Sequence, residues 1–282
     1  MSHATFSHEA MATVFQIMAA ATSADYARQA AAAAFRELDR LESELSRFIE
    51  TSDLARAGRI AAGDSIVIGE DAMQCLLAAA RISELTGRAF DPAYLSSRPS
   101  RAPADKPLFL LDPSGHTLTS LTPRLLLDLG AVGKGYALDR MAAVLHEWDL
   151  TAACLQSGGS TVLALDPLPH EPGWPVGAGD RTYALTHSAV SGSGLAVQGE
   201  HITDPRRGRP AVRSGRVWSF AAMAADADAL STAFFVMSDE EVAEFCRQHP
   251  AYGAILSLPD GRFARQGAVP SESATGITPR PE

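Results

Sequence analysis

The chain has 282 residues, of which 46% are hydrophobic and 20% charged, the balance of a globular protein with a sizeable core rather than of a disordered chain. Its formal charge of −9 and pI of about 5.4 repel polyanions, so nucleic acid is excluded as a partner and a phosphate ligand needs local positive charge. Three scattered cysteines (Cys75, Cys154 and Cys246), an N-terminus without a signal-peptide pattern and the lack of any run of roughly 20 apolar residues set the expectation of a cytoplasmic protein with no membrane span.

Thr13 to Ala20 suits a strand. Ser23 then reads as the cap of an amphipathic helix whose stripe is Leu38, Leu41, Leu45 and Phe48. A short strand at Ile66 to Ile68 precedes a helix with Met73, Leu76, Leu77 and Ala80 on one face and Gly87 as its stop. Leu95 to Pro107 is Pro-, Ser- and Arg-rich and aperiodic, hence a loop. Leu125 to Leu129 reads as a strand that runs into a glycine cluster, and Leu138, Met141, Ala142, Leu145 and Trp148 mark the helix after it.

Short strands follow at Ser160 to Ala164, Trp174 to Ala178, Thr182 to Thr186, Val217 to Met223 and Ala254 to Leu258, with one helix near Ala227 to Met237. Strands outnumber helices here, so the fold class is α+β. The expected organisation is one catalytic unit over residues 1–267, with subdomains near 1–94 and 125–267 joined by 95–124, and an unstructured tail over 268–282.

Three groups carry candidate chemistry. In LDLGAVGKGYALD, residues 127–139, Gly130, Gly133 and Gly135 bracket Lys134 before a helix, which suits a phosphate cradle; a tight turn with an exposed lysine explains the same residues. Neither GxxxxGK[ST] nor GxGxxG is present, which disfavours a Walker-type ATPase. In DALSTAFF, residues 228–235, Asp228 and Thr232 lie one turn apart, opposite the stripe of Leu230, Ala233, Phe234 and Met237. Such oxygen ligands suit Mg²⁺, or Mn²⁺, completed by substrate phosphates. Asp226 reads as the N-cap of this helix, and Asp228 reads equally as a first-turn acid.

In HITDPRRGRP, residues 201–210, His201 and Asp204 are candidate bases, while an Asp-Pro turn with a surface histidine accounts for the same pattern. Gly158 and Gly159 in QSGGST and Ser191 in SGSG offer backbone donors and small hydroxyls to a cofactor, although turns alone account for both loops.

In this order, and together with HEAMATVF, SRFIETSDLARAG, FDP at 90–92 and ADALSTAFFVMS at 227–238, these segments resemble the ApbE family of FAD:protein FMN transferases. The resemblance implies two α+β subdomains with FAD between them. It implies that Asp228 and Thr232 hold Mg²⁺ with a carbonyl of the 130–131 turn, that of Ala131, and that Ser52, Phe90 and Asp91 line the flavin site. It further implies that FAD is cleaved, that FMN passes to a Ser or Thr hydroxyl of a target flavoprotein, and that AMP leaves, with His201 or Asp204 as base. Gly58, Ala93 and Ser193–Gly194 depart from the family pattern beside the flavin and the segment from 93 to 127 is short, which keeps non-catalytic flavin binding as an alternative; FAD hydrolysis, with water in place of the protein hydroxyl, is another.

Overall fold

The computed structural model describes residues 3–20, 23–96, 106–194, 202–213 and 215–273. The N-terminal strands β1 (His3–Ala10) and β2 (Thr13–Ala20) form a hairpin whose two turn residues, Met11 and Ala12, have φ of 50° and 58°. Two left-handed residues match the twist of a hairpin. Neither is glycine, and the Met11 N–H is anchored by donating to Glu42 Oε1 at 2.8 Å. Glu42 belongs to α1 (Ala24–Leu45), which Ser23 caps as expected by accepting from the Tyr26 N–H. The helix stops at Leu45, so Phe48 leaves the expected stripe and stands 80% exposed.

After α2 (Asp53–Ala57) and β3 (Ser65–Val67), α3 (Glu70–Leu85) ends where sequence places its stop, with Gly87 at φ 55°. The strands β4 (Phe109–Asp112) and β5 (Thr117–Ser120) join β3 in a small antiparallel sheet, where no strand is expected between 95 and 124. Leu125 to Leu129 is not a strand. Leu125, Leu127 and Leu129 are buried in alternation, but the backbone bonds side chains and carbonyls of a loop: Leu126 N–H to Ser96 Oγ, and Asp128 N–H to Pro92 O, both at 2.8 Å. The period of two is real and the ladder partner is missing.

The helix α4 (Gly133–Glu147) leads into β6 (Ala153–Ser157), β7 (Thr161–Ala164), β8 (Trp174–Ala178), β9 (Arg181–Leu185) and β10 (Ser188–Gly194). The two-residue strands β11 (Thr203–Asp204) and β12 (Arg209–Pro210) pair with each other. They are followed by β13 (Arg216–Ala221), α5 (Ala224–Val236), α6 (Asp239–Gln248), β14 (Gly253–Ser257) and β15 (Phe263–Gly267). The main sheet has eight antiparallel strands in the order β1-β2-β6-β7-β10-β13-β14-β15. Residues 3–20 therefore share a sheet with strands from the C-terminal half.

Strand β13 shows how both faces are filled. Val217 and Ala221 join the core beneath α1, α4 and α5, while Trp218 and Phe220 join a second cluster with Trp174, Tyr183 and Leu185 of the β8–β9 hairpin. The tail departs from its expected disorder as far as residue 273. Ser271 O accepts from the Ala184 N–H at 3.1 Å, and the Ser273 N–H donates to Thr182 O at 2.8 Å, so the chain runs along β9. Among the described residues no helix is long and apolar enough to cross a membrane.

Helix α5 is buried on nearly every side, wedged between the sheet and α4. Its N-cap is Met223, and Asp226, expected to be the cap, lies inside the first turn, where it pairs with Arg81 of α3 and accepts from Tyr252 Oη at 3.1 Å. Capping comes from another helix: Asp139 of α4 accepts from the Ala224 and Ala225 N–H groups at 2.8 and 2.9 Å. Burial, with the nearby Asp226 and Asp228 charges, outweighs these two bonds and pushes the Asp139 carboxyl up to about 7.

The two helices touch at Gly135, where an added Cβ would lie 2.2 Å from Ala224 O, whereas one on Gly133 would meet Leu129 Cβ at 3.6 Å. Gly135→Ala is expected to cost about 1–3 kcal/mol by overpacking, and Gly133→Ala to be close to neutral, in urea unfolding. Asp139 makes stability pH-dependent with a definite sign. Its folded value is raised above the ordinary 3.8, so as pH climbs from there to about 7 the unfolded chain gives up the proton first and stability falls. Wild type should lose stability over that window relative to Asp139→Asn; parallel midpoints would contradict it.

Candidate functional site

The site is built around Asp228, which sits in the second turn of α5 and is 4% exposed. A carboxylate so buried needs donors on both oxygens. Oδ1 accepts from Thr161 Oγ1 of β7 at 3.1 Å and from Ser191 Oγ of β10 at 3.2 Å, both fully buried. Oδ2 accepts from the Gly135 N–H, in the first turn of α4, at 3.2 Å and faces Lys134 Nζ at 3.7 Å. Ser231 extends the network, contacting Ser191 Oγ at 3.3 Å and Ser193 Oγ at 2.9 Å.

In front of Asp228 a cavity is lined by Phe90, Asp91, Tyr94, Asp128, Gly130, Ala131, Lys134, Ser160, Gly192, Ser193, Thr203, Pro205 and Thr232, among others. Phe90, Asp91, Ala131, Lys134, Asp228 and Thr232, expected from the sequence as flavin, phosphate or metal residues, thus line one cavity, together with Gly130 and Ser193. Lys134 is a first-turn helical residue rather than a loop residue, and its Nζ donates to Gly130 O at 2.5 Å. A second cavity shares Asp128, Gly130 and Lys134 with the first and adds Met11, Ala12, Glu42, Leu45, Arg47 and Phe48. Asp128 stands between them, with Tyr94 Oη and Arg47 Nε each 3.5 Å from its Oδ2.

The other sequence candidates lie elsewhere. Ser52 is 2% exposed and caps α2, accepting from the Ala55 N–H at 3.1 Å and donating to Ser46 O at 2.6 Å, so its hydroxyl is committed to the backbone. Gly158 and Gly159 form the β6–β7 turn, Gly158 at φ 52°, and it is their neighbour Ser160 that reaches the cavity. Ser191 stands behind Asp228 rather than in the cavity. Asp204 is 5% exposed, bonds Arg206 Nε at 3.1 Å and faces Arg207, and lines a separate groove. His201 lies outside the described residues. Asp91 is half of a tight turn, accepting from the Ala93 N–H at 2.8 Å, with Arg88 3.2 Å away.

Sequence reading missed Thr161, Asp128, Tyr94 and the second cavity. Thr161 is two residues beyond Gly159, within a motif already singled out, but only the pairing of β7 with β10 brings it to Asp228.

Among the described residues no cluster of three His, Cys, Asp or Glu side chains could hold a metal. A cation here would rely on one carboxylate, neutral oxygens and its ligand's own phosphates, which is the manner of Mg²⁺ rather than of a protein-caged metal. The residues fit that requirement, because a cationic group, the Lys134 ammonium, already lies between Gly130 O and Asp228. The arrangement is that of a site able to take a divalent cation and a phosphate side by side.

The family model for the ApbE family matches residues 11–256, and the chain belongs to that family. The FAD:protein FMN transferase of Treponema pallidum (strain Nichols) is 28% identical over 180 residues, which is 55% of this chain and 49% of that protein, so the match spans about half the length of this curated relative. Among solved structures, the ApbE protein of Thermotoga maritima is 24% identical with a TM-score of 0.79, covering 94% of this chain and 97% of that one. The apo form of the Pseudomonas stutzeri flavinyl transferase ApbE is 20% identical with a TM-score of 0.81, covering 94% and 95%. The α+β fold read from the sequence is the fold of these proteins.

Thr161→Val keeps the shape and removes a donor from a buried carboxylate, so it should cost about 1–3 kcal/mol in urea unfolding. Ser193→Ala, at a half-buried hydroxyl that bonds Ser231, should cost less than about 1 kcal/mol.

Proposed function

We propose that this chain is a Mg²⁺-dependent FAD:protein FMN transferase acting on a Ser or Thr hydroxyl of a target flavoprotein, with AMP as the leaving group. The observation that carries the reading is the convergence of Asp228, Thr232, Lys134 and the 130–131 turn on one cavity that also contains Phe90 and Asp91. Matches to a named FAD:protein FMN transferase and to a flavinyl transferase support it.

In this reading Asp228, Thr232 and a carbonyl of the 130–131 turn hold Mg²⁺, and Mn²⁺ suits the same donors. When bound, the ion neutralises pyrophosphate charge and activates the FMN phosphorus toward attack. Lys134 and the first turn of α4 supply the remaining positive potential for the phosphates. The second cavity, with Arg47 and Phe48, extends the site for the rest of the dinucleotide. The acceptor hydroxyl forms the new P–O bond as the bond to the AMP phosphate breaks, and its proton passes to a base.

His201 and Asp204 are the candidates for that base; the Asp204 carboxylate is engaged by Arg206. The catalytic unit is proposed to span residues 1–267. Three buried, unpaired cysteines support a cytoplasmic location.

Incubation of the pure protein with FAD and Mg²⁺, with and without an acceptor peptide, tests this by AMP release and peptide mass. The expected result is AMP together with an FMN-sized mass gain, and Asp228→Ala should slow both by about 100-fold or more, equivalent to about 2.7 kcal/mol of transition-state stabilisation. AMP with only free FMN would replace the transferase by a pyrophosphatase, and FAD binding without AMP would remove catalysis.

A further inference from the structure

Lys134 has a second role that depends on where its ammonium lies. Its Nζ donates to Gly130 O at 2.5 Å and faces Asp228 Oδ2 at 3.7 Å, a carbonyl and a carboxylate offered together to one cation. The other groups bonded to the Asp228 carboxylate, Thr161, Ser191 and the Gly135 N–H, are all neutral. A buried charge requires a counter-charge, and Lys134 supplies it. A divalent cation bonding both oxygens at about 2.0–2.1 Å would share that space with a positive ammonium, so the two cannot be bound to the pair at once. Lys134 also lines both cavities, so its four-carbon stem has open volume on either side.

We propose that Lys134 is the internal occupant of the cation position: a divalent ion displaces its ammonium from Asp228 and Gly130 O, and the released ammonium turns into the cavity to meet the phosphate of the incoming ligand. This rests on the metal reading of the site given above, with Gly130 rather than Ala131 supplying the carbonyl of the 130–131 turn. The exchange couples the two ligands. A metal without phosphate strands an ammonium beside a dication, and a phosphate without metal competes with Asp228 for the lysine, so each ligand tightens the other by the same factor.

The test uses the full chain, Mn²⁺ and inorganic pyrophosphate. Bound Mn²⁺ is counted by electron paramagnetic resonance, and the acetylation rate of Lys134 by an activated ester is read from the mass of its peptide. Mn²⁺ alone should raise that rate about five- to tenfold, and pyrophosphate added with Mn²⁺ should lower it again. Lys134→Met should bind Mn²⁺ about tenfold tighter without pyrophosphate and show a smaller mutual tightening than wild type, the remainder coming from direct bonding of pyrophosphate to the metal. Mn²⁺ bound in an Asp228-dependent way while Lys134 acetylation stays unchanged would overturn the exchange and leave the metal reading standing. Mn²⁺ that does not bind, or binds equally to Asp228→Asn, would overturn both.

Discussion

A carboxylate that is 4% exposed must be matched on all its lone pairs, and this constraint on Asp228 ties together the parts of the molecule that matter. Its partners Ser191 of β10, Thr161 of β7 and Gly135 in the first turn of α4 lie 37, 67 and 93 residues from it in sequence. Oδ1 is held from behind by two fully buried hydroxyls, which leaves Oδ2 turned toward Lys134 and the cavity. The orientation of Oδ2 is thus set by Thr161 and Ser191, which do not line the cavity.

The same helix end concentrates negative charge, and the fold separates it by giving each acid its own partner. Asp139 takes the free N–H groups of Ala224 and Ala225, Asp226 takes Arg81 and Tyr252, and Asp228 takes the hydroxyl pair and Lys134. The raised Asp139 carboxyl measures the remaining repulsion and burial. Gly135 allows α4 to approach closely enough for this division, since any side chain there would collide with the Ala224 carbonyl. The glycine looked like a phosphate-cradle residue in the sequence, but its physical necessity is helix packing.

Much of the local structure was legible because local rules set it. Ser23 caps α1, Gly87 ends α3, and β2 and β8 fall on the expected residues. Elements whose identity depends on a distant partner were harder to read. Leu125 to Leu129 has strand periodicity but its hydrogen bonds go to a loop, and β4 and β5 are short pieces whose evidence is each other. The candidate site divides in the same way. Motif residues on α4, α5 and the FDP turn line one cavity, whereas Ser52, Ser191 and Asp204 are polar groups bonded to short-range or buried partners. A sequence marks a hydroxyl or carboxylate as chemically able; only the packing shows whether that ability is already used.

A site with one carboxylate at its centre also has a built-in economy of affinity. Several acids around one position would hold a divalent ion without help, and their mutual repulsion would have to be endured whenever the ion was absent. Here the central acid, Asp228, faces a lysine of the same chain, with Lys134 Nζ 3.7 Å from its Oδ2. If an ion enters as proposed, it would meet one carboxylate and displace the lysine beside it, and phosphate oxygens would be needed both to complete its coordination and to receive that lysine. On the proposed reading, a cation and a phosphate-bearing ligand would bind better as a pair than either would alone, and the residues that would make them do so are held in place by the contacts of the buried Asp228.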